Sequence, residues 1–298
     1  MAFNFFLPEM HQRPKLACDL TPGGVVAARP TEAGRPATAF APLFAGALVP
    51  GLKTPNVVDK NAVAAALKRA LDAVEGRDKR LTLVAPDAAA RVLLLDFDTL
   101  PAKLNEALPV IRFRLRKLIP FEADDAAVSY QIMQQTAEEA SVLVTVMPRA
   151  VLAEYEEVVR LAGYEPGVVL PSTLAALAGV MQPEPVLVVN RNGNSVTTAI
   201  TRGEELLLHR SLELPADEAL CNDELRQAVS VSVAYFEDTL STMPEAVFYA
   251  GPGGADELTC VLELEQFRVR DLVPAAAMAD GNTVPRGLMA GVSGALAS

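Results

Sequence analysis

The sequence predicts an α/β protein of two similar lobes, the first carrying a strand–helix–strand–strand–helix insert. Three observations predict it. Short apolar strands alternate with helical stretches along the whole chain, as layered α/β architectures require. The order strand–turn–strand–strand–helix opens at "KLACDLTPGGVVAARP" and returns at "PVLVVNRNGNSVTTAI", the mark of a duplicated unit. At 298 residues, the chain is long enough to bury two cores. The lobes are expected at residues 1–182 and 183–298, joined at "QPEP", Gln182 to Pro185, with the insert at about residues 88–166.

In the first lobe, "KLACDL", "VVAAR" and "ATAFAPL" are short, apolar and bounded by Pro or Gly, which predicts strands. Asp59 or Asn61 can cap the next segment. There Val63, Leu67, Leu71 and Val74 recur at helical spacing, and Gly76 ends the run. "LTLVAP" follows as a buried strand. In the insert, "RVLLLDF" is a strand and residues 101–118 a helix with a basic end, Arg112, Arg114, Arg116 and Lys117. "VSYQIMQQ" and "SVLVTVMP" are strands. "RAVLAEYEEVVRLAGY" closes the insert as a helix with Gly163 at its C-cap. Thr173 to Met181 reads as a helix before the linker. In the second lobe, "PVLVVN", "SVTTAI" and "EELLLHRSLEL" make three antiparallel strands, the first pair joined by "RNGN". A long helix spans about Asp217 to Leu240. "EAVFYA" is a buried strand leading through "GPGG" into a further helix, and "GLMAGVSGALAS" closes the chain as a last one.

Composition narrows the function. Hydrophobic residues make up 51% and charged residues 21%, an ordered globular composition. A net charge of −11 argues against a nucleic-acid partner, whose phosphates need Lys and Arg, and leaves a basic membrane-associated partner open. Cys18, Cys221 and Cys260 are odd in number and form no CxxC, so they read as reduced thiols. Two histidines, His11 and His209, support neither a Cys/His zinc site nor a His-based triad. The most apolar run, Ala37 to Leu52, contains Pro42 and Pro50 and falls short of the roughly 18 apolar residues of a membrane span. "MAFNFFLPEMHQRPK" has no basic residue before its apolar patch, which Pro8 and Glu9 end. It is not a secretory signal, and the expected location is the cytoplasm.

Few motifs carry chemistry. "AGPGGADEL", Ala250 to Leu258, lacks the GK[ST] of a P-loop. A dinucleotide fingerprint would need a third Gly at Asp256, and a strand before an acidic residue about 20 positions on. Asp271 fits that distance, but the missing glycine and the preceding antiparallel strands spoil the match, and a tight strand–helix turn is preferred. The carboxylate groups Asp96/Asp98, Glu122/Asp124/Asp125 and Glu154/Glu156/Glu157 read as solvated faces. "RFRLRKLIPF", Arg112 to Phe121, is either a helix end whose cations favour the dipole or a groove edge that docks a partner peptide. "FNFFLP", Phe3 to Pro8, is either a frayed end or an apolar anchor that fills a groove on this chain or a neighbour.

Read together, these segments resemble the PilM family of type IV pilus assembly and, more distantly, FtsA and the cytoplasmic domain of the type II secretion L protein. The most specific stretch is "RLRKLIPFEADDAAVSYQIM". "VLVTVMPRAVLAEYEEVVRLAGYEP", "VLVVNRNGNSVTTAITRGEELLLHRSLEL" and "ELRQAVSVSVAYFEDTL" support it in the family's order. The resemblance implies an actin-like (ribonuclease H-like) fold of two lobes around a cleft, with the family's insert in the first. It also implies a cytoplasmic scaffold at the inner membrane, attached only through partners and able to self-associate into a ring or filament. Its partner would be the N-terminal cytoplasmic tail of a PilN-like bitopic membrane protein, held in a groove between the first lobe's core and the insert. Leu118, Ile119, Pro120 and Phe121 are the residues expected beside that tail. The family's tail motif is Asn-Leu-Leu-Pro-like, and "NFFLP", Asn4 to Pro8, looks like that ligand placed on the receptor itself.

The same resemblance implies a nucleotide cleft, which the residues contradict. The family's first loop reads Asp-x-Gly, followed by small polar residues and often a Lys. Here Asp19 is kept, Thr21 stands at the glycine and Pro22 follows. Thr21 brings a Cβ where backbone should approach phosphate, and Pro22 removes an N–H donor. Thr21-Pro22-Gly23-Gly24 suits a closed type II turn. In the second loop Asp-x-Gly becomes Asn190-Arg191-Asn192, so a carboxylate that Mg²⁺ prefers is lost. Arg191-Asn192-Gly193-Asn194 suits a type I′ turn with Asn-Gly at its centre. Gly251, Gly253 and Gly254 remain near the family's adenosine loop, while the lid between "RSLELP" and "ELRQAVSVSVAYF" is almost absent. The expectation is a vestigial cleft and a pseudo-ATPase without cofactor or metal. The alternatives are a divergent ATPase using ATP and magnesium, with Asp19 on the metal side, or the equivalent scaffold of a type II secretion system.

Overall fold

The structure, a computed structural model, describes residues 13–262, 268–275 and 284–297, apart from residues 33, 75, 77, 137 and 181. His11 and the stretch Phe3 to Pro8 lie outside the described residues.

The first lobe is built on β1 (Ala17–Thr21), β2 (Gly24–Arg29), β3 (Ala37–Pro42), β4 (Arg80–Ala85) and β8 (Glu165–Pro171), in the order β3-β2-β1-β4-β8. The first three are antiparallel, and β4 and β8 run parallel to β1. Covered on both faces, β1 is buried throughout and β4 from Leu81 onward, each mostly apolar but carrying buried polar residues, Asp19 and Thr21 in β1 and Thr82 in β4. Alternation then sorts their side chains. Cys18 and Leu20 join a core with α1 (Lys60–Ala73) and α3 (Arg149–Leu161), whereas Ala17 and Val84 face the second lobe. Asp59 caps α1, its Oδ1 accepting from Ala62 N at 2.9 Å. The cap contributes about 1 kcal/mol. Burying Val63, Leu67 and Leu71 contributes about 1.5–3 kcal/mol each, so packing outweighs capping in holding the helix.

The second lobe repeats the plan. Its sheet holds β9 (Val186–Asn192), β10 (Ser195–Arg202), β11 (Glu205–Glu213), β12 (Ala246–Ala250) and β13 (Arg268–Asp271), in the order β11-β10-β9-β12-β13. Leu187 and Val189 face α5 (Glu218–Leu240), and Val186 and Val188 face the first lobe. By the same alternation Asn190 continues the face that meets the first lobe. β11 leads into α5 through Leu214 to Asp217 alone, and α6 (Gly254–Leu262) joins β12 to β13.

One core is shared between the lobes. Ala17, Val84 and Leu170 meet Val186, Val188 and Ala199 there, together with α4 (Ser172–Leu177) and α7 (Ala290–Ala297). The two helices touch backbone to backbone. A Cβ on Gly294 would fall 1.8 Å from the carbonyl oxygen of Ala175, so only glycine fits. α7 also packs on β1, β2 and β4, and so ties the end of the second lobe into the first.

The insert is a three-stranded antiparallel sheet of β5 (Arg91–Phe97), β6 (Ala126–Gln135) and β7 (Ala140–Pro148), in the order β5-β7-β6. α2 (Leu104–Leu115) covers one face with Ala107, Ile111 and Leu115. The strand–helix–strand–strand–helix order is as expected, but its last helix is not part of the unit. Val151, Tyr155, Val158 and Val159 of α3 bury against α1 and β4 in the first lobe's core. The insert's own core therefore ends with β7 at Pro148, and not at Pro166.

Candidate functional site

The hairpins β1–β2 and β9–β10 point their turns at one cleft of about 350 Å³. Of the expected cleft residues, Asp19, Thr21, Gly23, Asn190, Asn192, Gly193 and Gly253 line it. Gly24, Gly251 and Gly254 serve packing instead. A Cβ on Gly24 would meet the Phe40 ring at 2.6 Å, one on Gly251 the Tyr249 hydroxyl at 2.4 Å, and one on Gly254 Asp271 Oδ1 at 2.7 Å.

Both turns differ from the type expected. In the first, Thr21 pairs with Gly24 and Gly23 has no positive φ, so the turn is not type II. The Thr21 hydroxyl closes it, accepting from Gly24 N at 3.2 Å and donating to Gly24 O at 3.0 Å. In the second, Asn192 pairs with Ser195, so the centre is Gly193-Asn194, one residue later than Asn-Gly. Gly193 has φ +63° and Asn194 no positive φ, the Gly-first pattern of type II′ rather than I′. The two tips touch: a Cβ on Gly193 would fall 2.6 Å from Pro22 Cγ.

A buried polar network crosses the lobes behind these tips. Asn190 Nδ2 donates to Ser172 Oγ at 3.1 Å and to Thr173 Oγ1 at 2.9 Å. Thr173 Oγ1 in turn donates to Asp87 Oδ2, and Thr197 Oγ1 donates to the same oxygen at 2.8 Å. Thr173 N donates to Asp87 Oδ1 at 3.0 Å. Asn190 is thus a donor at the head of a chain that ends on a carboxylate, a task an Asp at that position cannot perform. Asp87, Ser172, Thr173 and Thr197 escaped the sequence reading. The available signal was an Asp set among alanines at the end of a buried strand, "LVAPDAAA".

Asp19 lies beside this network on the floor of the cleft. Gly291 of α7 sits against it, for a Cβ there would fall 2.2 Å from Asp19 Oδ2. Asp19 Oδ1 is buried without a hydrogen-bond partner. Burial first, and the nearby Asp87 charge second, hold the Asp19 carboxyl well above the usual carboxylate range.

These residues do not fit a nucleotide phosphate with Mg²⁺. Asp19 Oδ1 is a single buried oxygen without a partner, where a hard cation prefers several oxygen ligands. Both Asp87 oxygens are taken by Thr173 and Thr197. Pro22 and Gly193 fill the space between the turns, and Pro22 offers no N–H. Arg191, the cation lining the cleft, is held by Glu257 at 2.8 Å. Among the described residues no group of three or more His, Cys, Asp or Glu could hold a metal ion.

The strand–helix turn at Gly251–Gly254 is tight, as expected. Gly253 and Gly254 have φ +68° and +67°. β13, not expected from the sequence, runs parallel to β12 and ends on Asp271, whose Oδ1 accepts from Ala255 N at 2.8 Å. The acidic residue caps α6 and so closes the start of that helix.

A second concavity, a groove of about 280 Å³, lies between the insert and the first lobe. Ala127, Ser129, Thr145 and Met147 of the insert sheet form one wall, with Leu152 and Glu156 of α3 opposite. Pro166, Gly167, Val168 and Val169 complete it. Four consecutive residues of one strand can line a groove only along its edge, since faces alternate. β8 is the end strand of its sheet among the described residues, so it leaves an edge unpaired there, whereas the insert presents one face of its β6–β7 pair. Thr145 Oγ1 is buried at this wall without a hydrogen-bond partner.

Leu118, Ile119, Pro120 and Phe121 are not in that groove. Ile119 and Phe121 join the core under α2, with Ala126 and Val128. Ala127 and Ser129 point the other way, into the groove. The expected contact residues therefore sit on the opposite face of the insert sheet, with Leu118 46% exposed there. Arg112 explains part of the basic run: its guanidinium donates to the carbonyls of Ala123 and Ala126, fastening α2 to the start of β6.

No model of a known protein family matches the chain, and no curated protein matches it in sequence. Solved structures do. A structure titled as the PilM-PilN type IV pilus biogenesis complex is similar over 96% of this chain and 97% of that one, with TM-score 0.75 and 19% identity. The cytoplasmic domain of EpsL, an inner membrane component of the type II secretion system of Vibrio cholerae, is similar over 95% and 94%, with TM-score 0.54 and 12% identity. Among the described residues no helix is long and apolar enough to cross a membrane. Two lobes of one strand order around a cleft, matched along nearly the whole of these structures, give the chain the actin-like fold with its insert in the first lobe.

Proposed function

We propose that this chain is a cytoplasmic scaffold of a type IV pilus assembly platform, which binds the short cytoplasmic tail of a bitopic membrane partner and does not turn over ATP. The observation that carries the reading is the groove. The unpaired edge of β8 and the largely apolar wall opposite suit an extended peptide, which would add backbone hydrogen bonds to β8 and seat alternate side chains. The similarity in fold to a pilus biogenesis complex supports this partner class over others. The closed hairpin tips and the committed Asp87 support a pseudo-ATPase. An acidic chain of net charge −11 favours a basic tail, and its attachment to the inner membrane would come through that partner.

Calorimetry with the cytoplasmic tails of neighbouring bitopic proteins tests the reading. A tail should bind the chain and lose that binding when Ala127→Trp fills the groove. Binding that survives both Ala127→Trp and Ser129→Trp would place the tail elsewhere and overturn it. A tail from a secretion system that binds tighter than any pilus tail would favour the second reading, the scaffold of a type II secretion system, which the EpsL similarity keeps in view. A divergent ATPase, for which the kept Asp19 speaks, is tested by the Mg-ATP titration described below.

A further inference from the structure

We infer that the open edge of β13 is a second peptide site, which takes an extended acidic segment of a partner protein by strand addition. The duplication of the fold places it. β13 ends the second sheet as β8 ends the first, each parallel to the strand it pairs with. A concavity of about 560 Å³ runs along it. Val269, Arg270, Asp271 and Leu272 line it in unbroken succession, so the strand presents its edge there. Leu272 N donates to Tyr249 O at 2.8 Å. By alternation the backbone groups of Arg270 also turn to β12, and those of Val269 and Asp271 turn away from it. Among the described residues no strand pairs with that outer edge. An edge with free donors and acceptors is a template for one more strand.

The side chains of β13 name the class of partner. Val269 packs on the core under α5 and α6, so Arg268 and Arg270 stand on the other face, and both are exposed. Among the described residues neither is held by a carboxylate, whereas Arg286 is committed to Asp271. On a chain of net charge −11, two uncommitted arginines in phase on an unpaired edge select an anionic partner. A strand added there sets every second side chain on the arginine face. Carboxylates two residues apart then pair across the strands, each matched by a planar guanidinium that can hold it through two N–H groups. Phe248 is in register with Arg270 and lines the same concavity, an apolar surface beside the charges. Arg270 also borders the next concavity, where Glu184 and Glu245 stand, so the acidic stretch is limited to the positions facing the arginines. The groove at β8 has Glu156 as its charged lining residue. The two equivalent edges therefore sort peptides by charge, and acidic segments are turned from β8 to β13.

The test uses the full chain, unaltered and as the double variant Arg268→Glu/Arg270→Glu. The probe is a short labelled peptide that alternates valine with aspartate, followed by fluorescence anisotropy. Two control peptides carry asparagine or lysine in place of the aspartate. The unaltered chain should bind the aspartate peptide at least about ten-fold tighter than either control. The double variant should invert the order and prefer the lysine peptide, an outcome that loss of the fold cannot imitate. In hydrogen exchange, the aspartate peptide should protect the amides of Val269 and Asp271 and leave those of Gly167 to Val169 unchanged. Equal binding of the aspartate and asparagine peptides, or an order that the charge reversal leaves intact, overturns the inference. Protection at Gly167 to Val169 in place of Val269 and Asp271 does so too, since the peptide would then sit at β8. So does an unaltered chain that is dimeric beside a monomeric double variant, since the occupant would then be a second copy.

Discussion

The ring of Pro22 rests on Gly193, so the tips of two hairpins from different lobes meet where an actin-like nucleotide site would admit phosphate. The contact leaves no room for a Cβ on Gly193, whose φ of +63° is in any case costly for other residues. Gly193→Ala should destabilise the fold by about 1–3 kcal/mol, through backbone strain and a clash with a rigid ring. Urea unfolding of the two chains measures it, and an unchanged midpoint would show that the tips are free to part.

Mg-ATP should give no saturable heat in calorimetry. Pro22 removes a donor, both Asp87 oxygens are taken and Arg191 is engaged by Glu257. Micromolar binding that Asp19→Ala abolishes would reverse the pseudo-ATPase reading.

Asn190→Asp puts a carboxylate at the second hairpin and should not create nucleotide binding. It replaces the donor that Ser172 and Thr173 accept from by an acceptor, inside a network already holding Asp87. A loss of about 1–3 kcal/mol is expected, and denaturation at neutral pH measures it.

The Asp19 carboxyl gives a pH signature. Its folded pKa is raised, so folding favours the protonated form, and the stability it contributes is present below the unfolded value of about 4. As pH rises above that, the unfolded chain releases the proton and the folded chain keeps it. Stability then falls by up to about 1.4 kcal/mol per pH unit until Asp19 itself ionises in the fold. Asp19→Asn removes this loss. The variant should therefore gain on the unaltered chain as pH rises from about 4 to about 8. Urea midpoints across that range decide it, and a difference independent of pH would count against a neutral Asp19.

The wall of the groove has its own brace. Glu154 Oε2 accepts from Asn56 N at 2.6 Å and Val57 N at 3.0 Å, and the buried Tyr155 hydroxyl donates to Asn56 Oδ1 at 3.1 Å. Glu154→Ala strands two backbone donors and should cost about 1–3 kcal/mol, while Tyr155→Phe should cost about 1 kcal/mol. Thermal unfolding of both single variants and the double variant compares them, and a double loss smaller than the two single losses together would mean that the contacts act as one unit.

The sequence made the elements legible wherever periodicity or a cap was strong. Asp59 caps α1 as read, and both hairpin sheets fall on their apolar runs. Turn register was less legible for a physical reason. β9 is buried nearly throughout, on both faces, so no polar alternation fixes which residue ends the strand. That let Asn192-Gly193 stand for Gly193-Asn194. The placement of Leu118 to Phe121 has a different source: they form the turn between α2 and β6, and only the way that turn tucks under the helix decides which face of the insert they join. Asp87 was overlooked because an isolated carboxylate has no spacing to recognise, and its partners Thr173 and Thr197 come together only through tertiary packing.

The contact of Gly294 with Ala175 has a mechanical meaning. A clamp driven by nucleotide needs two arrangements of similar energy and a seam that slides between them. Here the last helix of one lobe is bedded backbone to backbone in the other, within a core both lobes share. Parting the lobes would expose that core and unseat the helix together, at about 25 cal/mol for every Å² of apolar surface uncovered. The shared core and the bedded helix make the two lobes one mechanical piece, which resists opening along the seam between them.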